Sequence, residues 1–429
     1  MSLDFTKKNQ RNVIFAVTFG NLLEWYEIYL YVYWSPIIAK LFFNPQTETT
    51  NLTTTLLIFA LGLLARPIGG LYFGRLGDRI GRKKAFIISL MMMTIPTFLT
   101  GLLPTYPQAG VFAPIFLTLT RFLQAFPAGG ELPGAFCYLY ESAQLNKRRY
   151  FCSWACFGVL SGLLISTIEC FALESLLSQE DLIAWGWRLS FLVGGLLGLS
   201  GVYIRSRLHE TPLFQEMSKH STIVKQPILQ VLSEHRKALF MGTVFWLFNS
   251  ATGFFITVNA SEYFKEMLNN NYKVALFFMC SLLLLIIISL PFFGIIAEKV
   301  NNRKLLILSL LAGSLLLLPL SYFVTHSSLV GFTVAIAILA LVFSCNNALL
   351  SYITPELFPT RVRYTCVAIS FNVSDTIVGG FTPFLVIYLS QRTKFEGVFC
   401  WVILLFAILS LVSYIYMKEK HPINQVEQD

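Results

Sequence analysis

Charge is scarce in this chain: Asp, Glu, Lys and Arg make up only 13% of its 429 residues, where a soluble domain carries about a quarter. A water-facing globule is therefore excluded. Long polar connections are scarce too, and the only one runs from about 206 to 236. The eight cysteines (137, 152, 156, 170, 280, 345, 366 and 400) lie in apolar stretches, without a Cys-x-x-Cys or Cys/His spacing, so no metal site is expected. His209, His220, His235, His326 and His421 fall in loops or tails. A buried histidine relay is thus excluded, and any proton carrier has to be a carboxylate. A Gly-rich phosphate loop ending in Lys-Ser/Thr is missing, which excludes ATP as the energy source. Neither a Ser/His pair, a catalytic Asp pair nor a metal constellation lies in the apolar runs, so an enzyme is not expected, nor is a cofactor. The net charge of +9 does not gather into a basic stripe with interleaved aromatics, and nucleic acid is set aside as a partner.

What the chain does have is apolar length. Runs such as 274–297, 305–323 and 330–344 suit a helix crossing a hydrocarbon core of roughly 30 Å. Hydropathy predicts about twelve such spans, the first over 12–42, the seventh over 237–264 and the eleventh over 364–391. The basic residues explain the net charge as a topology signal. Lys7, Lys8, Arg11, Arg75, Arg79, Arg82 to Lys84, Lys147 to Arg149, Arg205, Arg207 and Lys225 fall on one side, with Lys299, Arg303, Lys304, Arg361, Arg363, Lys418 and Lys420. Opposite them stand only Lys40, Lys265, Lys273, Arg392 and Lys394. Both termini are accordingly expected in the cytoplasm.

The polar connection divides the chain into 1–205, a linker at 206–236, and 237–429, with six spans in each half. The halves repeat weakly. Gly74, Asp78, Arg79, Arg82 and Lys84 align with Gly294, Glu298, Lys299, Asn302 and Lys304, while Glu141 and Arg148 correspond to Glu356 and Arg363.

The segment from Gly74 to Lys84 (Gly74, Asp78, Arg79, Gly81, Arg82, Lys83, Lys84) resembles the signature of the major facilitator superfamily at every defining position. Further blocks resemble its metabolite:proton symporter family: Gly20 to Glu27, Arg66-Pro67 with Gly69-Gly70, Gly129-Gly130-Glu131, Trp185 to Arg188, Glu210-Thr211-Pro212 and Pro355 to Thr365. Glu27 stands where many members have Asp, Ala125 replaces a Gly, and the second signature loop at 294–304 is degraded. The resemblance implies an all-α membrane protein of twelve transmembrane helices in two pseudo-symmetric halves. It also implies a secondary active transporter of a small polar metabolite (carboxylate, amino acid or zwitterionic osmolyte), driven by protons and working by alternating access. An uncoupled facilitator and a non-transporting nutrient sensor are the alternatives. Expected partners are substrate, proton and lipid bilayer; a functional monomer in a bacterial inner membrane is expected.

An acid or base inside a bilayer is costly, about 2.5 to 3.5 kcal/mol on insertion scales, so each one present needs a reason. Glu24 and Glu27 lie three apart, on one helical face with Gly20 and Tyr31, and two neighbouring carboxyls suit proton holding; pairing with a base such as Arg121 is the structural alternative. Arg121, Gln124, Ala128 and Glu131 draw a polar stripe on the fourth span. The resemblance associates Arg121 and Gln124 with substrate or proton coupling. The Arg121 guanidinium suits either a substrate carboxylate or neutralisation of a nearby acid. Asn249 lies on a stripe with Gly253, and Asn372 and Asp375 on one with Gly379. Proton-coupling candidates are therefore Glu24, Glu27, Glu131 and Asp375, and substrate candidates Arg121, Gln124, Tyr31, Asn249 and Asn372. Asp78 and Arg82 are the gating candidates, while Arg66 and Arg188 read as interfacial anchors. A reporter fused at Asn51 is expected outside the cell and one at Lys225 in the cytoplasm; the reverse labelling would overturn the topology.

Overall fold

The computed structural model describes residues 7–43, 48–220, 223–224, 227–269, 271–378, 382–393 and 397–420. Lys225, Gly379, Lys394 and His421 lie outside the described residues. Lipid offers the backbone no hydrogen bonds, so an apolar chain satisfies its N–H and C=O groups within helices. Among the described residues every regular element is helical.

The chain groups into two compact units, residues Met1–Ser142 with Gly158–Lys225, and Ala143–Phe157 with Gln226–Asp429. The first part runs α1 (Lys7–Tyr33), α2 (Ser35–Phe42), α3 (Glu48–Ile80), α4 (Arg82–Leu102), α5 (Tyr106–Ala109), α6 (Phe112–Ser142), α7 (Arg148–Leu176), α8 (Gln179–Asp181), α9 (Trp187–Ser206) and α10 (Pro212–Lys219). Next come α11 (Pro227–Glu234), α12 (Arg236–Phe254), α13 (Ala260–Met267), α14 (Tyr272–Lys299), α15 (Asn302–Thr325), α16 (Leu329–Glu356), α17 (Arg363–Thr376), α18 (Thr382–Thr393) and α19 (Val398–Lys420). In unit 1, α3 packs along α6, and α4 along α6 and α9, with α1 against α9. Unit 2 repeats that order, α14 along α16, α15 along α16 and α19, and α12 against α19. The weak sequence repeat is thus a strong packing repeat.

Among the described residues, eight helical stretches are long and apolar enough to cross a membrane. α1, α3 and α6, with 27, 33 and 31 residues, are long enough to cross as well. They are the helices that carry Glu24, Glu27, Arg66, Arg121 and Glu131. Polar cost is thereby concentrated where, below, the side chains converge. The outward faces of α14 and α15 stay apolar, with Phe277, Ile288, Leu308 and Leu315 exposed, as a lipid-facing surface requires.

Predicted boundaries hold while predicted continuity does not. The first span breaks at Trp34 (φ −82°, ψ 3°), where Pro36 brings no N–H to the opening turn of α2. The seventh is interrupted by a π-turn at Phe255–Asn259 between α12 and α13. The eleventh is described as α17 and α18, on either side of residues 379–381, which lie outside the described residues.

Backbone approach between α3 and α6 sets the position of the basic residues on both. A side chain at Gly69 would strike the Phe126 carbonyl, and one at Gly129 the Arg66 carbonyl and the Gly70 nitrogen. Small residues at such crossings let helices close up where no hydrophobic effect drives them together. Gly129→Ala is expected to push α3 and α6 apart and to destabilise the purified protein by about 1 to 3 kcal/mol. Gly62→Ala, which meets the Ala125 methyl at 3.2 Å, should cost clearly less; equal thermal shifts for the two would contradict the packing described.

Candidate functional site

Glu27 and Ile28 of α1, Arg66 of α3, Met93 of α4, and Arg121, Gln124, Ala125 and Ala128 of α6 line one pocket in unit 1. The α6 residues occur at i, i+3, i+4 and i+7, a single helical stripe, and the α3 crossing brings Arg66 to it. Thr97 Oγ1 lies 2.5 Å from Glu27 Oε2 and accepts from Gln124 Nε2 at 2.9 Å. Arg121 Nη1 in turn donates to Gln124 Oε1 at 3.4 Å. The other Glu27 oxygen, Oε1, has no hydrogen-bond partner among the described residues. Tyr31 lies beneath Arg121, its ring centroid 4.6 Å from the guanidinium carbon, and its hydroxyl donates to the Thr55 carbonyl at 3.3 Å. Arg66 sits 5.5 Å from the Trp25 ring centroid and is only 5% exposed. It lines the pocket rather than anchoring at an interface. The pocket therefore presents two guanidiniums and one carboxyl.

A second buried group lies beside it, also within unit 1. Glu131 of α6 pairs with Arg205 of α9 and accepts from the Ser89 hydroxyl of α4. Arg205 also donates through Nη1 to the Phe86 carbonyl at 3.0 Å and lies 3.4 Å from the Phe86 ring centroid. Its Nε and Nη2 have no hydrogen-bond partner among the described residues. Glu24 of α1 is 0% exposed, and neither of its carboxyl oxygens has a hydrogen-bond partner among the described residues. It lies within electrostatic reach of Glu131, Arg66, Arg205 and Glu27.

The signature loop forms a third cluster. Arg82, fully buried, donates to Glu141 through Nε at 3.0 Å and Nη2 at 3.1 Å, and to the Gly77 carbonyl at 3.0 Å. Its ion pair to Asp78 spans 3.3 Å. From the linker, the Glu210 carboxylate accepts from the Arg82 and Lys83 backbone N–H groups at 3.0 and 3.1 Å, capping α4. Gly81 has φ +108°, and any side chain there would meet that carboxylate. Burial lifts the Glu210 pKa above the usual carboxylate value, against the pull of the Thr211 and Lys83 N–H groups. Thr211 completes the cluster through its hydroxyl, 2.6 Å from Glu141 Oε2.

Unit 2 holds the remaining candidates, Asn249, Asn372 and Asp375. Asn249 and Asn347 exchange amide hydrogen bonds of 3.2 and 3.3 Å, and Asn372 donates to the Ala368 carbonyl one turn back at 2.8 Å. Asp375 is half-buried near the end of α17. Glu298 accepts from the Arg149 and Tyr150 backbone N–H groups at 2.7 and 3.1 Å and from Arg149 Nη1 at 2.9 Å, within the same unit.

The structure thus gathers Glu24, Glu27, Tyr31, Arg121, Gln124 and Glu131 into unit 1, and leaves Asn249, Asn372 and Asp375 in unit 2. Sequence reasoning passes over Ser89 and Thr97, and it places Arg66 and Arg205 outside the site. Arg205 was counted with the loop charges, yet it is buried in α9. A basic residue directly after an apolar run containing Gly194, Gly195, Gly198 and Gly201 was the available signal, since such a helix packs closely.

A protein of Staphylococcus aureus (strain COL), whose name places it with the proline/betaine transporters, is 31% identical over 408 residues, covering 91% of this chain and 86% of its own. The chain belongs to the major facilitator superfamily. The proline/betaine transporter of Salmonella typhimurium (strain LT2) is 29% identical over 422 residues, 95% of this chain and 83% of that one. Family models agree, with Sugar (and other) transporter matching residues 13–225 and Major Facilitator Superfamily residues 272–428. The proton:xylose symporter XylE bound to 6-bromo-6-deoxy-D-glucose shares the fold at TM-score 0.79, 16% identity and 97% coverage of both chains. The partially occluded inward-open form of XylE from E. coli gives 0.70 at 16% identity, covering 97% and 98%. As a superfamily member this chain is a multi-pass secondary transporter of a small molecule, and not an enzyme. Within it, removing one partner of a buried ion pair strands the other. Glu141→Gln is expected to cost about 3 kcal/mol or more, read as a lower thermal unfolding midpoint, whereas Glu298→Gln, at a partly exposed pair, should cost about 1 kcal/mol or less. Matching midpoints would contradict the burial argument.

Proposed function

We propose that the chain is a proton-coupled symporter of a small solute that carries a carboxylate. The observation that supports this reading most directly is the pocket of Arg66, Arg121 and Glu27, in which two buried guanidiniums face one carboxyl. A guanidinium offers a planar fork that matches a carboxylate. Arg121, steadied by Gln124 and by the Tyr31 ring, takes that role here, with Arg66 opposite. A neutral sugar would gain little from two fixed positive charges, so the shared fold of XylE does not argue for a sugar. Proline and betaine, named for the relatives, each bear a carboxylate and a positive nitrogen; Glu27 is placed to answer the nitrogen or to hold a proton.

The proton acceptor in this reading lies among Glu24, Glu27 and Glu131 of unit 1, because Asp375 is not gathered with the buried bases. The Asp78–Arg82–Glu141 cluster serves as the cytoplasmic gate. Residues 1–205 and 237–429 act as the two halves joined by 206–236, in a monomer with both termini in the cytoplasm of a bacterial cell and the spans in its inner membrane.

Uptake of labelled proline and glycine betaine into proteoliposomes tests this. An acid-outside gradient should drive accumulation above equilibration, and Arg121→Gln should lower uptake about tenfold or more, the worth of a charge-assisted hydrogen bond. Equilibration untouched by the gradient would make the chain an uncoupled facilitator, and binding without flux would make it a sensor. Either result overturns the proposal.

A further inference from the structure

Two partly unused groups face one another in the second buried cluster. Among the described residues, Glu24 offers two carboxyl oxygens that receive no hydrogen bond, and Arg205 offers two nitrogens, Nε and Nη2, that donate none. Both residues are 0% exposed. The unused edge of the guanidinium is turned toward α1, since Nη2, Cζ and Nε of Arg205 fill the space where a side chain on Gly20 would stand. Glu24 follows Gly20 by four residues, one helical turn along the same face. The guanidinium is meanwhile committed through Nη1 to Glu131, which Ser89 also holds.

A fully buried acid without a donor costs several kcal/mol as a carboxylate, and one proton removes that cost. One base set between two acids leaves the Glu24–Glu131–Arg205 group one negative charge in excess. The group faces Arg66 and Glu27 as its other charged neighbours, and those belong to the substrate pocket. We infer that Glu24, Glu131 and Arg205 form a dedicated proton-binding centre, separate from the substrate pocket, in which Arg205 serves Glu131 while Glu24 holds the proton and turns its free edge to Glu24 when the proton leaves. The step is a plain proton transfer: an O–H forms on Glu24 as one breaks on hydronium, and the reverse occurs on release. A metal cation fits poorly, because it would need several oxygens while facing the guanidinium. The two centres share α1, with Glu24 and Glu27 three residues apart, so a shift of α1 at one is felt at the other.

This inference rests on the symport reading, and its test needs no substrate. Infrared difference spectra of the full-length protein in liposomes, taken between mildly acidic and mildly alkaline buffer, report protonated carboxyls directly. The wild type should show a protonated-carboxyl band that Glu24→Gln abolishes and Glu27→Gln retains. Glu131→Gln should weaken the Glu24 band at a given pH although Glu24 is intact, because Arg205 is released to pair with it; a merely structural Glu131 would leave the band unmoved. Should Glu24→Gln fail to fold, Glu24→Asp keeps a carboxyl and should displace the band rather than remove it. A band unaffected by either Glu24 substitution, or one lost in Glu27→Gln, overturns the inference. Proton-driven uptake in a protein lacking the band does so too, whereas the band without driven uptake overturns the symport reading alone.

Discussion

An ionised side chain withdrawn from water must be answered by another, and that requirement arranges the interior of unit 1. Glu24, Glu27 and Glu131 are matched there by Arg66, Arg121 and Arg205, all nearly free of solvent. Removing any one leaves a charge without an answer in a medium that offers little screening. The helix crossings serve the same end. The glycine contacts between α3 and α6 carry Arg66 to the stripe of α6, and Gly20 makes room for Arg205 against α1. Packing and electrostatics are one constraint in this half of the chain.

Unit 2 follows the same packing order with different chemistry. Its interior candidates are amides and hydroxyls: Asn249 with Asn347, Ser309 with Asn346, Ser289 with Ser344. Such pairs close on themselves and cost little to bury once satisfied. Two halves built by one repeat thus differ in chemistry: the cluster of buried acids and guanidiniums lies in the first, and these amide and hydroxyl pairs in the second.

Much of this was legible before any coordinates. Composition and hydropathy suffice for helices in a membrane, and the spacing of Arg121, Gln124 and Glu131 suffices for a polar face on α6. What periodicity cannot supply is the register between helices. Thr97 and Ser89 look like ordinary small polar residues in an apolar run, and only the crossing of α4 with α6 sets the first beside Gln124 and the second beside Glu131. Arg66 and Arg205 misled for a related reason. A base near the end of an apolar run reads as a residue that reaches for water, and whether it does depends on neighbours far away in sequence. The interruptions at Trp34 and at 255–259 were hidden because neither leaves a mark on hydropathy.

The three acids and three guanidiniums of unit 1 also have an electrical meaning. With all six ionised their charges sum to zero, so moving this cluster through the membrane field does no work, although each elementary charge alone would be worth about 2.3 kcal/mol per 100 mV. An empty carrier of this composition returns indifferent to membrane voltage. In the proposed symport, binding one anion together with one proton preserves the balance, while a zwitterion with one proton adds a single positive charge, which an inside-negative potential pulls inward. Under that proposal, one set of buried residues lets the net charge of the solute decide whether voltage helps its uptake.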